Sequence, residues 1–279
     1  MAIDFEIRGR LSSFDETPLF YRRHVPANSK GHLILVHGFS EHSGRYAHVA
    51  EYLGSRGYSV WAMDNRGHGR SGGQRGHVDD YGDYVKDILA FHELVARETG
   101  EKRPFLLGHS NGGLIALRFA LAHAPLLKGL ILSDPLLQLS KPVPALKLLA
   151  GRLIARFAPR HSMPNDLEPA ELTQDPAMME AYLADPIIFH VVSVGWFAQM
   201  EKASADARAR GKELSLPLLL LLGGADPVCS GPASRAFFKS AASKDKALQT
   251  YEGFRHEIFN ELGRERVLAD LSAWLDRHG

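Results

Sequence analysis

The pentapeptide Gly108-His109-Ser110-Asn111-Gly112 constrains this chain more than any other stretch. Before it, Phe105-Leu106-Leu107 is a short apolar run behind Pro104, which reads as a buried strand. After it, Leu114 to Leu121 is rich in Leu, Ala, Ile and Arg, all good helix formers. A chain passing from strand to helix in so few residues must turn sharply enough to strain the backbone at the serine. Side chains at 108 and 112 would collide with neighbouring backbone, so glycine stands at both. The turn pushes the Ser110 hydroxyl out of the sheet edge, at the N-terminus of the following helix. Partial positive charge there favours a developing anion, and the Asn111 N–H can point at it.

Around this turn, strand-like and helix-like segments alternate. Residues 3–8 and 17–25 suggest an antiparallel pair. His32 to Val36, Tyr58 to Met63, Leu130 to Leu132, Leu216 to Leu222 and Ala247 to Tyr251 read as buried strands. Helices are expected over 45–55, 80–99, 231–242 and 260–277; in the second, Tyr84, Ile88, Phe91 and Val95 recur at helical spacing. This rhythm predicts an α/β fold with a mostly parallel sheet flanked by helices on both faces. It breaks after Ser133-Asp134-Pro135. Residues 136–214 carry seven prolines, short helical patches and no strand-like run. The expected division is therefore a core in two parts, 1–135 and 215–279, with 136–214 inserted as a helical cap over the C-terminal strand ends.

Charge within the insertion is segregated. Lys141, Lys147, Arg152, Arg156 and Arg160 fall between 141 and 160 with no acid among them, and six acids with no base follow between 166 and 185. Leu146, Leu149, Leu153, Ile154 and Phe157 share one face of the basic segment. Such a helix can lie on a membrane surface, or pack its apolar face on the domain with its charges solvated. Over all 279 residues the net charge is +1, which gives no electrostatic case for a nucleic-acid partner. The one cysteine, Cys229, excludes an internal disulfide and offers no cysteine metal cluster, and His256-Glu257 lacks the second histidine of a zinc helix. No metal and no cofactor are expected. The N-terminus lacks the basic start and apolar run of a signal peptide, and a cytoplasmic setting is the expectation, with peripheral contact at a membrane.

A serine hydroxyl is a poor nucleophile unless a base takes its proton and an acid orients the base. Two histidines lie beyond the second half of the sheet pattern, His256 and His278. His256 sits in a loop after a strand, whereas His278 is next to last in the chain. The acid is Asp226, after the strand 216–222, or Asp134, after 130–132; the Gly223-Gly224 turn and the spacing to His256 favour Asp226. An oxyanion is expected between the N–H groups of Asn111 and Phe39, the latter following the strand 32–36.

His37-Gly-Phe-Ser-Glu-His-Ser-Gly-Arg-Tyr46, Gly67-His-Gly-Arg-Ser71, Leu106-Leu-Gly-His-Ser-Asn-Gly-Gly113, Gly224-Ala-Asp226 with Cys229, and Tyr251-Glu-Gly253 with His256 together resemble the monoacylglycerol lipase group of serine α/β-hydrolases. The resemblance runs from about residue 30 to the C-terminus. It implies an eight-stranded α/β-hydrolase sheet with a cap, and cleavage of monoacylglycerol, a small lipid ester, to fatty acid and glycerol. It maps Ser110, Asp226 and His256 onto a catalytic triad and Phe39 and Asn111 onto the oxyanion donors. Glu41, Arg45 and Tyr182 match positions around the glycerol end of the site. Asn111 stands where mammalian members commonly have Met, which leaves a backbone donor intact. The segments 143–157 and 189–200 are expected to line an apolar acyl tunnel. Lysophospholipase or broad esterase activity is the sibling reading. A non-catalytic binding protein is the reading of another class, disfavoured because Ser, Asp and His all occur in the required order.

Overall fold

Each aliphatic run becomes a strand. A computed structural model of the protein describes residues 7–279, leaving aside the side chains of 145–147. In chain order the strands are β1 (Ile7–Ser12), β2 (Pro18–His24), β3 (Gly31–Val36), β4 (Tyr58–Met63), β5 (Phe105–His109), β6 (Leu130–Ser133), β7 (Ser162–Pro164), β8 (Val191–Ser193), β9 (Leu218–Gly223) and β10 (Lys246–Tyr251). Eight of them form one sheet in the order β1-β2-β4-β3-β5-β6-β9-β10. β2 pairs antiparallel with β1 and with β4, and every other neighbouring pair is parallel. The sheet is the eight-stranded, mostly parallel one the sequence implies.

The inner strands β4, β5, β6 and β9 are buried along their whole length because both faces are covered, whereas the edge strands β1 and β10 carry polar, exposed positions. Successive side chains point to opposite faces. Ile34 and Val36 enter one core with α2 (Gly82–Thr99), α3 (Asn111–His123), α7 (Val194–Ala209) and α8 (Gly231–Ser240). Leu33 and Leu35 enter the other with α1 (Ala47–Gly54) and α9 (Glu265–His278). Tyr84, Ile88, Phe91 and Val95 of α2 are all buried, as their spacing predicts. With this layering, the chain leaves the C-terminal ends of β3, β5, β6, β9 and β10 along one edge, where loops are free to carry chemistry.

Boundaries depart from the sequence reading where side chains intervene. The helix expected from Arg45 begins as a tight 3-10 turn, Ser43–Tyr46, because the Ser43 N–H donates to Asp64 (2.9 Å), and α1 starts at Ala47. The helix expected from Asp80 starts at Gly82, whose N–H is held by the Asp80 carboxylate (2.7 Å). The last helix starts at Glu265, after a separate turn at Ile258–Asn260 and Gly263 at φ 83°. The first strand runs to Ser12; residues 3–6 of the stretch expected there lie outside the described residues.

Between β6 and β9 come α4 (Ala145–Phe157), α5 (Pro169–Leu172), α6 (Pro176–Ala184) and α7. The expectation of no strand in this segment is corrected by the ribbon β7–β8, paired antiparallel with Met163 opposite Val192. Each of its strands has three residues and one contains Pro164, too short and too broken for an alternating pattern to appear.

Candidate active site

Ser110 sits between β5 and α3 with φ 54° and ψ −120°, a left-handed conformation for a residue with a side chain. Such strain costs about 1–3 kcal/mol and persists only where the surroundings enforce it. They do so through the glycines. A Cβ on Gly112 would lie 2.1 Å from the Val36 carbonyl oxygen, and one on Gly108 would lie 2.2 Å from the Gly112 oxygen. The first turn of α3 therefore rests directly on the ends of β3 and β5, and no rotamer can relieve either clash because the opposing atoms are backbone. Gly112→Ala is expected to lose about 3 kcal/mol or more of folding stability, read by urea denaturation. A variant as stable as the parent would mean that the turn is not built this way.

Asp226 follows β9 and His256 follows β10. The Asp226 Oδ2 accepts from His256 Nδ1 at 2.9 Å, and its Oδ1 accepts from the N–H groups of Val228 (2.7 Å) and Cys229 (3.0 Å). Burial opposes charge on the carboxylate, but the imidazole and these donors outweigh it and hold its pKa below the ordinary value. Burial likewise pulls His256 down, and the Asp226 charge and hydrogen bond, with Glu257 and Glu41 nearby, reverse the sign, so His256 titrates above an ordinary histidine. His109, whose ring centroid lies 4.8 Å from that of His256, is pushed down to about 4 by burial and by His256, and stays neutral. Ser110 and His256 line the same cavity. Among the described residues no hydrogen bond joins them. Contacts of this kind often tighten only when substrate is bound. His278 bonds to the Trp274 carbonyl oxygen (2.7 Å) and to Asp245 (2.8 Å), apart from these groups.

The backbone N–H groups of Phe39 and Asn111 have no protein acceptor among the described residues. The Asn111 side chain accepts from the Tyr81 hydroxyl (2.5 Å) and is not part of the cavity wall. The Phe39 loop is held from below by Glu41, which is buried. Its Oε1 accepts from the Gly38 N–H (2.5 Å) and the Tyr46 hydroxyl (2.7 Å), and its Oε2 from Arg45 (3.0 Å). Arg45 also grips both oxygens of Glu257, whose carboxyl is held at about 2, burial being outweighed by the guanidinium. Arg45 thus bridges two buried carboxylates and does not itself reach the cavity, whereas Glu41, Tyr182 and Glu257 line it. The guanidinium packs 5.1 Å from the centroid of the Tyr182 ring, and the Tyr182 hydroxyl is buried with no partner among the described residues. Glu257 escaped the sequence reading beyond the zinc-helix test; its position next to His256 was the available signal.

Apart from Asn165, the rest of the cavity is apolar, with Leu136, Leu139, Val192, Trp196, Phe197 and Met200 among its wall. The insertion supplies much of this wall and grips the Phe39 loop: Asn165 donates to Ser40 (2.6 Å), and His42 pairs with Asp185 (2.8 Å). Of the expected tunnel, the 189–200 segment contributes through Val192, Trp196, Phe197 and Met200. The 143–157 segment does not line this cavity. Val143, Leu148 and Ile154 face a neighbouring hollow that shares Leu139, Val192 and Phe197 with it. The outer side of α4 is bare: Leu149 is 65% exposed, Leu153 61% and Phe157 78%. Leu146, the first residue of that stripe, lies outside the described side chains.

The donor atoms of Asp226, Cys229 and His256 lie within 4.8 Å of one another, close enough to hold a metal ion. The His256 Nδ1 already serves Asp226, so a metal there would break the contact that orients the imidazole.

Residues 27–263 match the family described as serine aminopeptidase S33. A monoglyceride lipase of Rattus norvegicus is 34% identical over 95% of this chain and 89% of its own. A phospholipase of Bacillus subtilis is 32% identical over 88% of this chain and 95% of its own. A crystal structure of the Paleococcus ferrophilus monoacylglycerol lipase superposes with a TM-score of 0.86 at 32% identity, covering 94% of this chain and 99% of that one.

Proposed function

The chain belongs to the serine aminopeptidase S33 family of hydrolases, and we propose from that premise that it cleaves the ester bond of monoacylglycerols to fatty acid and glycerol. The observation that carries the reading is the Asp226–His256 contact at 2.9 Å beside a strained Ser110, at the head of an apolar cavity. Ser110 Oγ attacks the ester carbonyl while His256 Nε2 takes its proton. The oxyanion forms between the Phe39 and Asn111 N–H groups; each such donor is worth roughly 3–4 kcal/mol in the transition state. His256 returns the proton to the leaving glycerol oxygen. Water then attacks the acyl-enzyme with His256 again as base, and Asp226 holds the imidazole in the tautomer that presents Nε2. Residues 136–214 act as the cap whose apolar wall takes the acyl chain. Tyr182, Glu41 and Glu257 line the cavity at the glycerol end, and Arg45 holds both acids in place.

A panel of monoacylglycerols, phospholipids, lysophospholipids and p-nitrophenyl esters of graded length tests this. The highest kcat/KM is expected on a monoacylglycerol. A preference for a phospholipid, the substrate class that the Bacillus relative's name gives, would transfer the assignment to the second reading.

No helix among the described residues is long and apolar enough to cross a membrane. The bare face of α4 instead suits a cytoplasmic protein that touches a membrane from one side, with Leu149, Leu153 and Phe157 in the lipid boundary and basic residues at the headgroups. Exchanging Leu153 and Phe157 for Glu is expected to weaken co-sedimentation with mixed phosphatidylcholine and phosphatidylglycerol vesicles by about tenfold or more. The rate on a water-soluble short-chain ester should stay unchanged. Equal sedimentation of both forms would exclude α4 as the contact.

A further inference from the structure

Asp134 is a buried acid that this chemistry leaves unused. It follows β6 with φ 40°, and its own N–H donates to the Leu221 carbonyl oxygen of β9 (3.0 Å). That twist carries the side chain over the end of β9, where Oδ1 accepts from the Gly223 N–H (2.8 Å). The residue is 1% exposed and its Oδ2 has no donor among the described residues. Gly223, which donates to Asp134, also accepts from the Asp226 N–H (3.4 Å), so the two acids flank one residue and Asp226 is the charged group that acts on Asp134.

We propose that Asp134 is a positioning residue, kept as a neutral carboxylic acid that donates its hydroxyl proton to the Asp226 carboxylate. The inference rests on the roles given above to Asp226 and His256. Two carboxyl groups in contact cannot both ionise in a buried site, and the proton stays on the one with fewer donors. Asp226 accepts from three N–H groups, those of Val228, Cys229 and His256; Asp134 accepts from one. Among the described residues no Lys or Arg pairs with either carboxyl. Cys229, from the loop after β9, and Tyr251, at the end of β10, are both neutral and raised by burial first and by neighbouring carboxylates. His109, Glu41 and Glu257 face His256 from β5, the loop after β3 and its own loop, and His109 is neutral. Burial, then the Asp226 charge, pushes the Asp134 carboxyl well above the ordinary range. A hydrogen bond donated to Asp226 makes that carboxylate less basic, so it restrains how strongly Asp226 lifts His256.

Two measurements test this. In the infrared difference between the parent and Asp134→Asn at neutral pH, the parent is expected to contribute the carbonyl stretch of a protonated carboxylic acid. Loss of carboxylate bands only would overturn the proposal. This readout uses the resting protein, so it stands whatever the fate of Ser110 as nucleophile. The second is the acidic limb of the kcat/KM profile. Asp134→Asn keeps a donor toward Asp226 and an acceptor for Gly223, so its limb should stay in place. Asp134→Ala removes the donor, Asp226 becomes more basic, His256 holds its proton to higher pH, and the limb moves up. An ionised Asp134 would give the opposite sign, with the limb moving down in both variants. A limb that moves down in either variant, or stays in place in Asp134→Ala, overturns the proposal.

Discussion

Ser110→Ala is expected to lower kcat on a long-chain monoacylglycerol by about 10⁵-fold or more while the thermal transition stays in place. The substitution removes one oxygen from a buried position and leaves Gly108, Gly112 and the strained turn untouched. Residual rate would come from the oxyanion donors and substrate binding alone, since His256 would have only water to activate. Retained turnover in a folded Ser110→Ala protein would reject the acyl-enzyme route. A loss of rate accompanied by unfolding is guarded against by the melting measurement.

Asp226→Asn is expected to lower kcat by about 10³–10⁴-fold. The Asn oxygen can still accept from Val228 and Cys229, so the loop keeps its shape. Its amide cannot accept from His256 Nδ1, and the imidazole turns to the tautomer that hides its basic nitrogen from Ser110. The pH profile should change with it. In the proposed mechanism catalysis needs neutral His256, and rate is lost as pH falls through the His256 pKa, which Asp226 raises. The parent's acidic limb should therefore lie above the value of about 6.5 typical of histidine, and that of Asp226→Asn below the parent's. A limb that does not move would mean that Asp226 is not electrostatically coupled to the base.

How much of this the sequence discloses depends on the distance over which each feature is made. The strands were legible because burial on both faces demands uninterrupted aliphatic runs, as in Leu218 to Leu222. The turn at Ser110 was legible because its strain is local and fixes two glycines within five residues. Helix starts were displaced where one side chain, such as Asp64 or Asp80, captured an N–H from a neighbouring turn. The segregated apolar face of α4 was visible, but not the direction in which it points; that depends on where the insertion docks. For the same reason the sequence does not show that 143–157 lines a hollow adjoining the Ser110 cavity and not that cavity itself. The Glu41–Arg45–Glu257 bridge was hidden because its third member lies 212 residues from Arg45. Asp134 and Asp226 appeared as rivals for one role, since a sequence does not show that β6 and β9 are neighbours whose ends bring both acids together.

Covalent labelling tests the central claim most directly. After treatment with a fluorophosphonate, intact mass and peptide mapping should find one phosphonyl adduct, on the peptide bearing Ser110, and none in Ser110→Ala. An adduct on a different residue, or an unlabelled protein that continues to hydrolyse ester, would contradict the account.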